Sequence, residues 1–149
     1  MNDKVVIVTA ASQGIGAGCA KELAAQGYRV SLLARSASVL DLAQSLRGIG
    51  LRGSLTSTAD LETLVQNTLE KWGRIDGVVM RFGDQPRPDL LEISDQLWLD
   101  NFELLFLSVV RLTRLVTGPM RQNGLFLALP SKLMRSGLWR YETVFLQLL

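Results

Sequence analysis

Three glycines at alternate positions, Gly14, Gly16 and Gly18, stand between the apolar run Val5-Val6-Ile7-Val8 and the helix-like segment "CAKELAAQG". At a strand-to-helix turn, glycines let the backbone approach a ligand closely. The helix start adds free N–H groups and the positive end of its dipole. That combination binds a diphosphate. A nucleoside-triphosphate loop of the Walker type needs Lys and Ser/Thr directly after its last glycine, whereas Gly16 is followed by Ala17-Gly18. A dinucleotide is therefore expected, with Thr9, Ser12, Gly14, Ile15 and Gly16 around its pyrophosphate and Gln13 among the cofactor-binding residues. The alternative for the glycines is a tight turn that packs a helix on a strand. Roughly 20 residues further on, where an acidic residue would bind the ribose of NAD, the chain has Arg35-Ser36. A guanidinium pairs with the 2′-phosphate of NADP and a carboxylate repels it, so NADP is expected over NAD. The alternative for Arg35 is a solvated loop arginine.

Other chemistry is sparse. With no histidine and one cysteine, Cys19, neither a zinc site nor an internal disulfide is expected, and a reducing cytoplasm fits best. The net charge of +2 is small and scattered, which argues against a nucleic-acid surface. No apolar stretch is long enough for a signal peptide or a membrane span, so a soluble, cytoplasmic protein is expected. Apolar content of 48% over 149 residues supports a folded chain with a real core.

The elements that must position these residues alternate. Residues 5–9 form an unbroken apolar run, as in a strand buried on both faces of a parallel sheet. In the helix that follows, Ile15, Cys19 and Leu23 recur four apart, and Gly27 stands at its end. Strands are expected at 30–34, 51–56, 75–80 and 125–129. Helices are expected at 36–46, ending at Gly48, at 61–72 behind Ser57 or Thr58, and from 95 to about 117 behind Ser94, with Gly118-Pro119 interrupting the last. Five strands alternating with four helices make a doubly wound α/β fold with right-handed crossovers.

With these residues in view, the sequence resembles the short-chain dehydrogenase/reductase family. The stretch "VVIVTAASQGIGAGCAKELAAQGYRVSLLARS" is similar to its opening unit, whose turn reads T-G-x-x-x-G-x-G. Thr9, Gly14, Ile15 and Gly16 match, and Ala10 replaces the first glycine. "WGRIDGVV", "LLEISDQLW" and "LSVVRLTRLV" resemble the approach to the fourth strand and the long helix beyond it. The resemblance covers about residues 4 to 124. It implies a Rossmann-type sheet of order 3-2-1-4-5 and hydride transfer between NADP(H) and a carbonyl or alcohol.

Several positions depart from that pattern. Ser54 stands where the family has an adenine-contacting aspartate, and Met80-Arg81-Phe82-Gly83 replaces N-N-A-G. Arg81 is a candidate phosphate contact or a solvent-facing arginine. Leu105 falls at the helix asparagine of the family's proton relay, although it can neither donate nor accept a hydrogen bond. The family's proton donor is a tyrosine whose pKa is lowered by a lysine four residues on, with a serine to position the substrate. Here the only tyrosines are Tyr28 and Tyr141. Tyr28 precedes the second strand, and Phe145 stands four after Tyr141. Ser131 follows the fifth strand beside Lys132 but only ten residues before Tyr141. No catalytic residue is assigned.

Two segments are therefore expected: a dinucleotide-binding domain over 1–124, and a fifth strand with a divergent tail over 125–149. Relative to the family the sheet is truncated, and a shifted reading frame, an alternative exon or an artificial truncation would leave such a break. The long helix carries Trp98, Phe102, Leu105, Phe106, Val109, Leu112 and Val116, and a helix apolar on every side is expected to be buried on every side. The resemblance implies self-association through it, as a homo-oligomer. The alternative is a tail helix over 138–148 folded onto it. In function, the expectation is an NADP-dependent oxidoreductase acting on a small carbonyl or alcohol. The alternatives are a non-catalytic NADP-binding or oligomerising module, and a truncated product without activity.

Overall fold

The structure is a computed structural model that describes residues 3–83, 89–123, 127–129 and 144–145. Strand β1 (Val5–Thr9) leads into helix α1 (Gly14–Ala25), β2 (Arg29–Ala34), α2 (Ser38–Ser45), β3 (Ile49–Arg52), α3 (Thr58–Trp72) and β4 (Gly77–Val79). A short 3-10 turn (Leu90–Glu92) precedes α4 (Asp95–Phe102), a π turn (Glu103–Leu107) and α5 (Ser108–Asn123). Strands β5 (Leu127–Leu129) and β6 (Val144–Phe145) follow. The sheet order is β3-β2-β1-β4-β5-β6, parallel from β3 to β5, with β6 antiparallel to β5. The doubly wound α/β fold stands as the alternation of elements implies, and the order 3-2-1-4-5 as the family resemblance implies.

Strand alternation builds two cores. Val6 and Val8 of β1, with Val30, Leu32 and Ala34 of β2, pack on the face covered by α1 and α2. Ile7 and Leu33 point the other way, toward Leu61, Leu64 and Val65 of α3 and Leu112, Val116 and Met120 of α5. A strand buried on both faces has little place for polar residues, and Ser31 is satisfied by Thr68, whose hydroxyl donates to it at 2.8 Å.

The helix ends follow local chemistry. Gly27, at φ +83°, closes α1: its amide donates to Ala24 and that of Tyr28 to Leu23, both at 3.0 Å. Ser57 caps α3 by accepting from the Asp60 amide at 3.2 Å, and Gly73 closes it at φ +70°. At the end of α2, Arg47 rather than Gly48 takes the left-handed position, at φ +54°. Gly48 is required for another reason, since a Cβ there would lie 2.4 Å from the Val30 carbonyl oxygen.

Four expectations are corrected. The third strand occupies Ile49–Arg52, not 51–56, because Gly53 donates to Ala34 and Ser54 to Asp60, which turns the chain toward α3. The long helix is not uniform, and it continues through Gly118-Pro119 to Asn123, held by buried Val116 and Met120 on either side. It is not buried on every side either: Trp98, Phe102, Leu105 and Phe106 are exposed, and Phe102 stacks on Phe106 at 5.1 Å between ring centroids. Val144–Phe145 is a strand, which excludes a continuous helix over 138–148. Among the described residues, no helix is long and apolar enough to cross a membrane.

Candidate functional site

The carboxyl ends of β1, β2 and β4 open into a cleft of about 970 Å³, bounded on the far side by α4 and the π turn. Helix α1 begins at its floor. Gln13 precedes the helix in extended conformation and makes no side-chain cap, and no acid lies in the first turn. The first helical hydrogen bond is donated by Ala17 to Gln13, at 3.4 Å. The amides of residues 14–16 thus lack intrahelical acceptors and carry the positive end of the helix dipole.

The glycines of this turn do different jobs. Gly14 lies at φ +57°, a conformation that costs other residues energy, and a Cβ there would meet nothing within 4 Å. A Cβ on Gly16 would sit 2.3 Å from the Ala10 carbonyl oxygen, so only glycine lets the helix start against the turn. Gly18 meets nothing within 4 Å and has no such role. Ala10 itself holds φ +49°, so replacing the family's first glycine costs strain that the sequence alone does not reveal.

Of the residues read from the sequence as cofactor-binding, Ser12, Gln13, Gly14, Ile15, Arg35 and Ser36 line the cleft. Thr9 and Gly16 lie beneath it, both buried. The Thr9 hydroxyl donates to the Arg81 carbonyl and accepts from the Arg81 amide, each at 2.8 Å, which ties the end of β1 to the end of β4. Arg35 projects from the end of β2 so that its guanidinium lies 3.1 Å from where a Gly83 Cβ would stand. Ser36 shares a hydrogen bond of 2.9 Å with Ser38. Ser54 also lines the cleft, and its amide donates to Asp60 at 2.8 Å, so an aspartate does brace this loop, though from α3.

The helical wall was not legible as a wall. Leu97, Asp100, Asn101 and Leu104 line the cleft at the i, i+3, i+4, i+7 spacing of one helix face, with Glu103 beside them, and that spacing was the available signal. Leu104 packs against the core that holds Leu112, Val116 and Met120, and Ser108 is buried. Arg111 locks the wall in place by donating to Glu103 at 2.8 Å and to the Thr56 carbonyl at 3.2 Å. Leu105 points away from the cleft and is 46% exposed. Tyr28 packs on the α1/α2 core just before β2, at the opposite edge of the sheet from the cleft. Tyr141, Ser131 and Lys132 lie outside the described residues.

At that opposite edge Asp76 accepts from the Val5 amide at 2.7 Å and from Arg74 Nε at 2.9 Å. Burial pushes its carboxyl pKa up, but the Arg74 and Val5 hydrogen bonds and the charges of Arg74 and Lys4 outweigh it. The net pKa lies below the ordinary carboxylate value. Burial pushes the Cys19 thiol up, against the opposing charge of Arg81. Among the described residues, no three of His, Cys, Asp and Glu gather into a group able to hold a metal.

Known proteins share this architecture. A worm protein, dehydrogenase/reductase SDR family member 4 of Caenorhabditis elegans, is 35% identical over 129 residues, 81% of this chain and 50% of its own length. The monensin polyketide synthase putative ketoacyl reductase of Streptomyces virginiae is 36% identical over 126 residues, 79% of this chain and 48% of its own. Among solved structures, L-sorbose reductase from Gluconobacter frateurii, complexed with NADPH and L-sorbose, superposes with a TM-score of 0.79 at 25% identity, covering 85% of this chain and 51% of that one. An actinorhodin polyketide ketoreductase with NADPH gives 0.77 at 28% identity, covering 85% and 52%. This chain spans about half the length of these relatives. Residues 4–132 match the family model described as short chain dehydrogenase, and the chain belongs to that family.

Proposed function

We propose that the cleft binds NADP(H) and serves hydride transfer between that cofactor and a carbonyl or alcohol. The observation that carries this reading is the uncapped start of α1, with its acid-free first turn, in one cleft with Arg35 and Ser36. The residues fit the group. Gly14 keeps the backbone bare where a diphosphate would approach, Gly16 lets the helix start close against the turn, and Ser36 and Arg35 supply a hydroxyl and a guanidinium for a 2′-phosphate. The NADPH in the sorbose reductase and ketoreductase complexes supports the same assignment.

When bound, the nicotinamide supplies the hydride. This chain's residues bind and orient: the turn amides neutralise diphosphate charge, and Arg111 holds the far wall through Glu103 and Thr56. Among the described residues the only tyrosine is Tyr28, away from the cleft, so the proton donor is not assigned. A second reading, a non-catalytic NADP-binding module, draws support from the outward Leu105, which can neither donate nor accept a hydrogen bond. The stacked, exposed Phe102 and Phe106 support association with a second copy through the 95–117 helix.

The test is a fluorescence titration of the chain with NADPH and NADH. NADPH should bind more tightly, and Arg35→Asp should reverse the order. No saturable binding of either cofactor removes the reading. Equal affinities in the wild-type chain remove the role given to Arg35. Steady NADPH consumption with carbonyl substrates would exclude the purely binding module.

A further inference from the structure

We propose that Arg81 is a second anion grip in the cleft, directed at the diphosphate common to NADPH and NADH rather than at the 2′-phosphate. This deepens the preceding reading and rests on it. The Arg81 backbone cannot drift, because its amide and carbonyl both bond the buried hydroxyl of Thr9, the last residue of β1, each at 2.8 Å. That pins Arg81 next to the strand that feeds the glycine turn. Its side chain is half-buried and lines the same cleft as Ser12, Gln13 and Gly14.

Arg81 follows the end of β4 between Met80, which is buried in the α3/α5 core, and Phe82, which packs against that core, and it lines the cleft with the residues that open α1. Its charge is accordingly felt by Cys19, one turn into α1. The ion pairs among the described residues are Arg29–Asp3, Arg74–Asp76 and Arg111–Glu103, so none involves Arg81. Of the acids that line the cleft, Asp100 and Glu103 stand on the helical wall, and Glu103 is engaged by Arg111. A half-buried guanidinium beside uncapped helix amides, without a carboxylate partner among the described residues, is matched by an anion at the turn. Arg35 reaches the cleft from a different strand, over Gly83, and takes the other phosphate.

The two arginines are therefore separable. Calorimetric titrations of the full chain with NADPH and with NADH, for wild type, Arg81→Met and Arg81→Lys, test this. Arg81→Met should weaken both cofactors by roughly tenfold or more while leaving their ratio unchanged, as expected for loss of a charge-assisted contact. The salt dependence of binding should flatten, and Arg81→Lys should recover part of the loss. Thermal melts without cofactor establish that the variants fold. A folded Arg81→Met chain that binds both cofactors as tightly as wild type, or more tightly, overturns the proposal. So does loss confined to NADPH, which would make Arg81 a reader of the 2′-phosphate. A wild-type chain that binds neither cofactor overturns the parent reading and this one with it.

Discussion

The two walls of the cleft are built to different standards. On the β1–α1–β2 side nearly every residue is constrained locally: apolar side chains fill both faces of the strands, Gly27 closes α1, and Gly16 fits against Ala10. The helical side closes the cleft with α4 and the π turn and leaves Trp98, Leu99, Phe102 and Phe106 of these elements exposed. The first wall is complete within this chain. The second has apolar area that only a further surface can bury.

The sharpest way to break the first wall is Gly16→Ala. The new methyl would collide with a backbone carbonyl that is itself held at positive φ, so neither partner can yield cheaply. A loss of about 3 kcal/mol is expected in a denaturant titration, together with loss of NADPH binding. Gly18→Ala is the control, because its Cβ meets open space inside the helix, and it should be neutral or slightly stabilising. Equal losses at both positions would mean that the turn does not pack as described.

Asp76 tests the same wall from below. Asp76→Ala strands the buried Val5 amide and should cost about 1–3 kcal/mol. Because its folded-state pKa is lowered, the contribution is present above the unfolded value of about 4 and is lost as pH falls through the folded one. The stability gap between wild type and Asp76→Ala, measured by denaturation at successive pH values, should therefore close on acidification below about pH 4. A gap that stays constant with pH would assign the loss to packing instead.

How far each wall was legible follows from the range of its interactions. The bounds of β1, the glycine at the end of α1 and the Ser57 cap are encoded within a few residues, and simple periodicity finds them. The bounds of β3 were missed because Gly50 breaks the apolar pattern, yet a Cβ at Gly50 would lie only 2.8 Å from that of Ala43. The end of β3 is decided by Asp60, eight residues on, which draws Ser54 into a turn. On the helical wall, periodicity identified an apolar helix but not which side it buries. That is fixed by the π turn, by Ser108 bonding back to the Leu104 carbonyl, and by Arg111 reaching Thr56, 55 positions away.

The second wall is sharpened by removing its exposed rings. If two copies meet there, Phe102→Ser with Phe106→Ser should weaken association at least tenfold, about 1.4 kcal/mol, in sedimentation equilibrium. NADPH affinity should change little, since neither ring lines the cleft. An unchanged mass would show that the 95–117 helix is not a self-association surface, and a chain already monomeric before the change would show the same.

The smallest effect lies at the start of the glycine turn, where Ala10 replaces the family's first glycine. Ala10 holds a left-handed backbone at φ +49°, which costs an L-residue about 1–2 kcal/mol, whereas glycine adopts it freely. Ala10→Gly removes that strain but also loosens the unfolded chain, by roughly 0.5–1 kcal/mol. The net gain should be below about 1 kcal/mol, seen as a small rise in denaturation midpoint. The same exchange relaxes the carbonyl on which Gly16 packs, so NADPH affinity should hold or rise slightly. A destabilised Ala10→Gly chain would mean that the turn keeps its shape through the alanine methyl and not in spite of it.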